Sequence, residues 1–328
     1  MNLKCKNKIE NFLTKNNLVD NYNILELLEE QNLENIINKL ESLPQDKLTD
    51  FALECVCEEL LITASYKIER TGMKLGLHRM EHVLALFNNP EHNLKVIHVA
   101  GTNGKGSTCS YIKDILKTKY RVGLYSSPSM LSFNDRIRVN DDFIPYKEAY
   151  RLFKEVVKVY DANRPDPSDK LSFFEIITTV ALLYFREQKT DFVIMEVGLG
   201  GRYDGTNIFK EKLLSIITKI GLDHTTILGD SLEKIAYEKA GIIQENDNVL
   251  IYPANDSIVD VISNICKEKN AKLSILDENN IEIKDIGAHG NKFSFRNINY
   301  TTKMVGQHQI CNASLALAAI FNLRSRGI

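Results

Sequence analysis

No run of about eighteen uninterrupted apolar residues occurs anywhere in the chain, so no membrane-spanning helix is expected. Met1 to Asn17 alternates polar and charged side chains and holds no apolar segment of secretory-signal length. An excess of one charge is missing too. With 41 basic and 43 acidic residues the net charge is -2, which gives no electrostatic reason to expect nucleic acid or an anionic membrane as the main partner. Lys4, Lys6 and Lys8 make a short basic patch that reads as a solvated face. Cysteine is sparse: Cys5, Cys55, Cys57, Cys109, Cys266 and Cys311 lack the paired spacing of a metal motif and fit reduced thiols in a cytoplasmic protein. No internal repeat, low-complexity tract, Gly-x-Ser-x-Gly turn or Cys/His nucleophile pattern stands out.

What remains is an ordinary globular composition, 44% hydrophobic and 26% charged, with enough apolar residues for a sizeable core in one large domain or two moderate ones. Residues 1 to about 65 read as helical. Ile24, Leu25, Leu27, Leu28, Leu33, Ile36, Ile37 and Leu40 recur at helical spacing, Pro44 breaks the run, and 50–68 is a second apolar-rich helix. No catalytic grouping shows there, so residues 1–70 are expected to be a helical extension that serves packing or regulation. The character changes near Gly72. From Leu94 short apolar strands alternate with helical segments, with strands expected at 95–100, 121–125, 192–197, 214–218, 249–252 and 272–276. Helices are expected at 108–117, 146–160, 173–188, 232–243, 258–269 and 308–324, and small β-hairpins over 281–304. The alternation predicts an α/β fold over 71–328, a mostly parallel sheet with helices on both faces.

The strongest local signal is the strand Val96-Ile97-His98-Val99-Ala100 running into Gly101-Thr102-Asn103-Gly104-Lys105-Gly106-Ser107-Thr108. Glycines let backbone N–H groups converge on phosphate oxygens, the start of a helix supplies positive potential, and Lys105 adds a mobile charge. The spacing departs from the usual Walker pattern, because Gly106 follows Lys105 and the hydroxyls come at Ser107 and Thr108. Strand, loop, lysine and helix together predict phosphate binding. Glu196 closes the apolar strand Asp191-Phe192-Val193-Ile194-Met195, and His224 follows the next strand, so both are expected at the carboxyl edge where open α/β sheets bind ligands. A carboxylate there suits Mg²⁺ bridging nucleotide phosphates.

Ala100 to Thr108 resembles the phosphate loop of the folylpolyglutamate and dihydrofolate synthases, members of the Mur ligase superfamily, and five further segments match in order. They are Met73-Lys74-Leu75-Gly76-Leu77-His78-Arg79-Met80; Tyr125-Ser126-Ser127-Pro128 with Asn134-Asp135-Arg136-Ile137-Arg138; and the acidic glycine-rich run from Glu196 to Asn207. Asp223-His224 with Glu238-Lys239-Ala240-Gly241-Ile242, and Gly306-Gln307-His308-Gln309 with Asn312-Ala313, complete the set. The resemblance spans roughly 72–328 and implies a P-loop-like central domain of a ligase. It implies that Gly101 to Thr108 hold ATP phosphates and that His308 and Asn312 lie on the adenine side. Ser127, Glu196 and His224 would be Mg²⁺ ligands in a two-metal site, and Lys239 would be carbamylated. Lys105, Lys239 and His224 are thereby the implied catalytic set.

By the same resemblance the γ-phosphoryl group of ATP passes to the carboxylate of a folate or of dihydropteroate, and the amine of L-glutamate attacks the acyl phosphate. A monomer is expected. Ser129 stands where the family often has histidine, so the substrate contacts of that loop carry over less firmly than the metal contacts. The family's C-terminal glutamate-binding domain is expected to be absent from 71–328, and Ala288-His289-Gly290 reads as a turn rather than a replacement for it. Glutamate addition by this chain alone is therefore expected to be poor. Two rival readings stay open, a peptidoglycan-type Mur ligase and a non-catalytic Mg-ATP-binding module.

Overall fold

The structure, a computed structural model, describes residues 2–16, 18–28, 32–69 and 76–328. The change of character at Gly72, and Met73, Lys74 and Leu75 of the first matched segment, lie outside the described residues. In chain order the elements begin α1 (Asn2–Asn16), α2 (Ile24–Leu27), α3 (Leu33–Ser42), α4 (Lys47–Glu69), α5 (His78–Leu86), β1 (Val96–Ala100), α6 (Lys105–Leu116) and β2 (Val122–Tyr125). Then come β3 (Ile137–Val139), β4 (Asp142–Phe143), α7 (Tyr146–Asn163), α8 (Phe173–Glu187), β5 (Phe192–Glu196), β6 (Leu214–Ile217), α9 (Thr225–Leu228) and α10 (Leu232–Ala240). The chain closes with β7 (Asn248–Ile251), α11 (Asp256–Glu268), β8 (Lys272–Ile275), β9 (Ile281–Gly287), β10 (Gly290–Phe295), β11 (Ile298–Thr302) and α12 (Gln307–Ser325). Residues 288 and 289 form the turn expected between two hairpin strands.

The chain divides into two compact units. One takes in Met1–Lys74, Ser129–Asp135 and Phe143–Val180, the other Leu75–Pro128, Arg136–Asp142 and Ala181–Ile328. In the first unit α4 is the hub, with α1, α3 and α7 packed around it. Asn32 accepts the Glu34 amide to start α3, and Asp46, two residues after the helix-breaking Pro44, accepts the Leu48 and Thr49 amides at 2.9 and 3.0 Å to start α4. Glu54 of α4 takes the amides of Tyr146 and Lys147, so a carboxylate from a distant helix satisfies the orphan donors at the start of α7. Lys8 of the basic patch pairs with Glu58. The cysteines are free thiols, and burial pushes Cys55 and Cys57 up to about 12, which keeps them protonated and inert.

In the second unit, among the described residues, a sheet runs in the order β4-β3-β2-β5-β1-β6-β7-β8. The pairings from β2 through β8 are parallel, while β3 returns antiparallel to β2. Alternate residues face opposite layers. Ile216 and Leu250 join Ile97, Val99, Cys109, Ile112 and residues of α12 on one face, whereas Ile217, Val249 and Ile251 meet α10 and α11 on the other. The expected mostly parallel sheet with helices on both faces is what the chain adopts. A separate antiparallel sheet, β11-β10-β9, carries Phe293 and Phe295 into the first of these cores. The chain leaves β1 toward β2 on one side and leaves β6 toward β7 on the other, so the strand order reverses between β1 and β6. In open α/β sheets the crevice that takes a ligand lies at such a reversal, outside the carboxyl ends of the two strands. No helix among the described residues is long and apolar enough to cross a membrane.

Candidate active site

The phosphate loop sits at that reversal. Thr218 N–H bonds to Ala100 O at 2.9 Å, and the Thr102 and Asn103 amides bond to Lys219 O at 3.0 and 3.2 Å, which folds the loop across the end of β6. The Thr102 hydroxyl donates to Gly221 O and accepts the Gly221 amide, fixing the next loop as well. Two glycines are dictated by space. At Gly101 (φ 141°) a Cβ would lie 1.9 Å from Thr218 Oγ1, and at Gly104 (φ 88°) it would lie 2.3 Å from Asn312 Oδ1. Gly104 caps α6, so the helix begins at Lys105, three residues earlier than the periodicity suggested. The amides of Lys105, Gly106 and Ser107 are thereby first-turn donors without intrahelical acceptors, aimed at the crevice.

Two lysines meet over this loop. Lys105 Nζ donates to Gly101 O (3.0 Å) and Thr102 O (3.3 Å), and Lys239 Nζ, from the last turn of α10, donates to the same Gly101 O at 2.9 Å. Lys239 is 2% exposed; burial, with the Lys105 cation beside it and only partial relief from Asp223, lowers its amine to about 8. Glu196, at the end of β5, lies against Gly106 and accepts the Ser127 amide at 3.4 Å. Burial pushes its carboxyl up to about 7, with Lys105 and the Ser127 amide opposing the rise and Asp204 adding to it.

The structure brings Gly101 to Thr108, Ser127, Glu196, Lys239 and Asn312 into one place. Asn312, on the second turn of α12, packs against Gly104 and bonds to Gln309, which in turn reaches Ser107 Oγ at 3.3 Å. His308 is exposed, its ring folded against Gly306. His224 is exposed, caps α9 in a left-handed conformation (φ 45°), and its Nε2 lies 3.6 Å from Asp223 Oδ1. Among the described residues no three His, Cys, Asp or Glu side chains are grouped as a metal cage. Ser127 Oγ and Thr108 Oγ1 are nevertheless buried oxygens with no hydrogen-bond partner, in residues flanking the Glu196 and phosphate-loop region. Unengaged oxygens and a buried carboxylate are the donor set that suits a hard divalent cation.

Periodicity gave no role to Lys219, Thr218 and Gly221, whose signal is positional only, or to the buried group His98, Thr206 and Asp204 behind the loop.

A glycine-rich loop at a sheet reversal, a helix start and two facing lysines are the arrangement by which α/β proteins hold phosphate. The Mur ligase middle domain matches residues 99–320, and the chain belongs to that family. Among similar proteins, the dihydrofolate synthase/folylpolyglutamate synthase of Bacillus subtilis is 39% identical over 76% of this chain and 59% of its own length. A folylpolyglutamate synthase from Thermotoga maritima superposes with a TM-score of 0.71 at 29% identity, covering 81% of this chain and 62% of that one. The folylpolyglutamate synthase of Mycobacterium tuberculosis, solved in complex with ADP and AMPPCP, gives 0.74 at 26% identity, with 83% and 63% covered. The chain thus spans about half the length of the curated relatives it matches.

Proposed function

We propose that the chain is the nucleotide-binding core of an ATP-dependent folate ligase, which activates the carboxylate of a folate or of dihydropteroate for attack by the amine of glutamate. The observation that carries this reading is the meeting of Lys105 and Lys239 on Gly101 O beside the buried Glu196, in a family whose matched relatives are named for folate ligation. Lys105 would leave the Gly101 and Thr102 carbonyls for the β- and γ-phosphate oxygens, while the amides opening α6 hold the same phosphates. AMPPCP is an ATP analogue with an uncleavable β–γ bridge, so its complex with the Mycobacterium protein supports the nucleotide assignment. Asn312 and His308 would flank the adenine.

Glu196, Ser127 and His224 would hold Mg²⁺, which when bound would supply positive charge against the transferred phosphoryl group. Lys239 fits the carbamylation reading because its burial keeps a fraction of the amine neutral, as reaction with CO₂ requires. Transfer gives an acyl phosphate and ADP; the glutamate amine then displaces phosphate. No protein nucleophile takes part, and the side chains named here work by placement and charge.

The test is to incubate the chain with ATP, Mg²⁺ and either dihydropteroate or tetrahydrofolate, and to trap acyl phosphate with hydroxylamine. Folate-dependent hydroxamate and ADP are expected. ADP release driven by a UDP-muramyl peptide and not by folates would move the assignment to a peptidoglycan-type ligase; no turnover with either would leave a nucleotide-binding module.

A further inference from the structure

Behind the phosphate loop lies a polar chain with no part in the chemistry just described. His98 is the middle residue of β1, fully buried, and its backbone partners are Met195 of β5 and Ser215 of β6. Its side chain points to the α10 face, opposite Ile97 and Val99, where the Phe209 ring meets it edge-on at 6.0 Å. His98 Nε2 lies 2.9 Å from Thr206 Oγ1, and that hydroxyl lies 2.5 Å from Asp204 Oδ1. Asp204 also accepts the Thr206 amide at 3.0 Å through Oδ1 and the Leu199 amide at 2.8 Å through Oδ2.

The proton order along these three side chains follows from the charge on Asp204. Burial raises the Asp204 carboxyl, but the hydrogen bonds it accepts from Thr206 and Leu199 oppose that rise and favour the carboxylate, which can only accept, so Thr206 donates its one hydroxyl proton to Asp204 and accepts from His98. His98 therefore carries its proton on Nε2. Its Nδ1 is bare and without a partner, and burial together with the nearby Lys212 cation keeps the ring neutral.

Loop Val197–Thr206 follows directly from Glu196. The same loop is clamped to the helix of Lys239: a Cβ on Gly201 would lie 2.8 Å from the Glu238 and Lys239 carbonyls, and Asn207 Nδ2 bonds to both Arg202 O and Gly241 O. We propose that His98 is a positioning residue, which through Thr206 and Asp204 ties the strand bearing the phosphate loop to the loop that follows Glu196. It touches neither nucleotide nor metal. It sets where the Glu196 carboxylate stands relative to the loop amides, and so governs the Mg²⁺-dependent part of nucleotide binding. The inference rests on the nucleotide-site reading above.

The test compares His98→Phe, Thr206→Val and His98→Gln, whose amide nitrogen can replace Nε2–H. AMPPCP affinity is measured by calorimetry with and without Mg²⁺, thermal unfolding is followed, and peptide-level hydrogen exchange is read over residues 197–207. His98→Phe and Thr206→Val are expected to melt cooperatively, to lose about tenfold of the Mg²⁺-dependent gain in affinity, and to keep metal-free affinity. Exchange over 197–207 is expected to quicken in both, the double variant to be no worse than either single, and His98→Gln to recover most of the loss. Equal losses with and without Mg²⁺, additive single effects, or failure of Gln to rescue would make His98 an ordinary core residue and overturn the proposal. Thr206→Val, a near-isosteric change, keeps the question answerable if His98→Phe does not fold. Should the wild-type chain bind no nucleotide, the ligase reading falls, while unchanged or quickened exchange still decides whether His98 holds the loop.

Discussion

Replacing Lys239 with methionine should stabilise the fold while damaging the site. The ammonium is nearly fully buried and lies no more than about 6 Å from that of Lys105, since both reach Gly101 O. At that separation two like charges repel by roughly 1–3 kcal/mol for an effective dielectric of about 20 to 40, and burial adds the larger share of the shift. Together they lower the amine from 10.5 to about 8. Below pH 8 both folded and unfolded chains hold the proton, and folding bears the full cost of the depressed pKa, about 3 kcal/mol at 1.36 kcal/mol per unit. Between pH 8 and 10.5 the unfolded chain binds more protons than the folded one, so wild-type stability rises with pH through that window. Urea unfolding in CO₂-free buffer should show Lys239→Met more stable by up to about 3 kcal/mol at pH 7, with the difference vanishing near pH 10.5. A variant that is less stable at pH 7, or an advantage that does not change with pH, would show that the amine is solvated and that the pressure toward a neutral lysine does not exist.

Three further outcomes follow from the same site and its support. Glu196 can hold a cation only as the carboxylate, so if it is the proposed Mg²⁺ ligand, with its carboxyl at about 7, Mg²⁺-dependent AMPPCP affinity should fall roughly tenfold per pH unit below that value, and Glu196→Gln should flatten the profile. Gly104→Ala forces a left-handed alanine against Asn312 Oδ1; strain of about 1–2 kcal/mol and a displaced Asn312 should cost about tenfold in nucleotide affinity by calorimetry. At the opposite edge of the sheet Lys212 pairs with Asp247 at 3.2 Å, both buried. Asp247→Ala strands that ammonium and should cost about 3–5 kcal/mol in urea unfolding, much of it recovered when Lys212→Met is added.

Much of the fold was legible because the central strands are continuous apolar runs bounded by glycine or polar residues, as buried parallel strands must be. Val96 to Ala100 and Phe192 to Met195 carry their own boundaries. β3 and β4 were not legible, since three and two residues at a polar edge have no periodicity to read. Nor was the grouping of 143–180 with the N-terminal helices, which depends on Glu34, Glu54 and Glu58 reaching Tyr146, Lys147 and Tyr150 across 88 to 116 residues of sequence. The phosphate loop was readable as a local motif, and so were Glu196 and Lys239 once the family pattern was seen. The exposed His224 and the His98–Thr206 link, 108 residues apart, depend on backbone geometry and on tertiary pairing that spacing does not encode.

In the proposed site Lys105 and the loop amides hold Mg-ATP at the reversal between β1 and β6. Calorimetric titration of AMPPCP into the chain, with Mg²⁺ and without, decides this when repeated on Lys105→Met. Saturable one-to-one binding, strengthened by Mg²⁺ and weakened at least tenfold by loss of the Lys105 charge, is the predicted result. Binding that ignores both Mg²⁺ and Lys105, or no binding at all, would show that this loop does not hold the nucleotide.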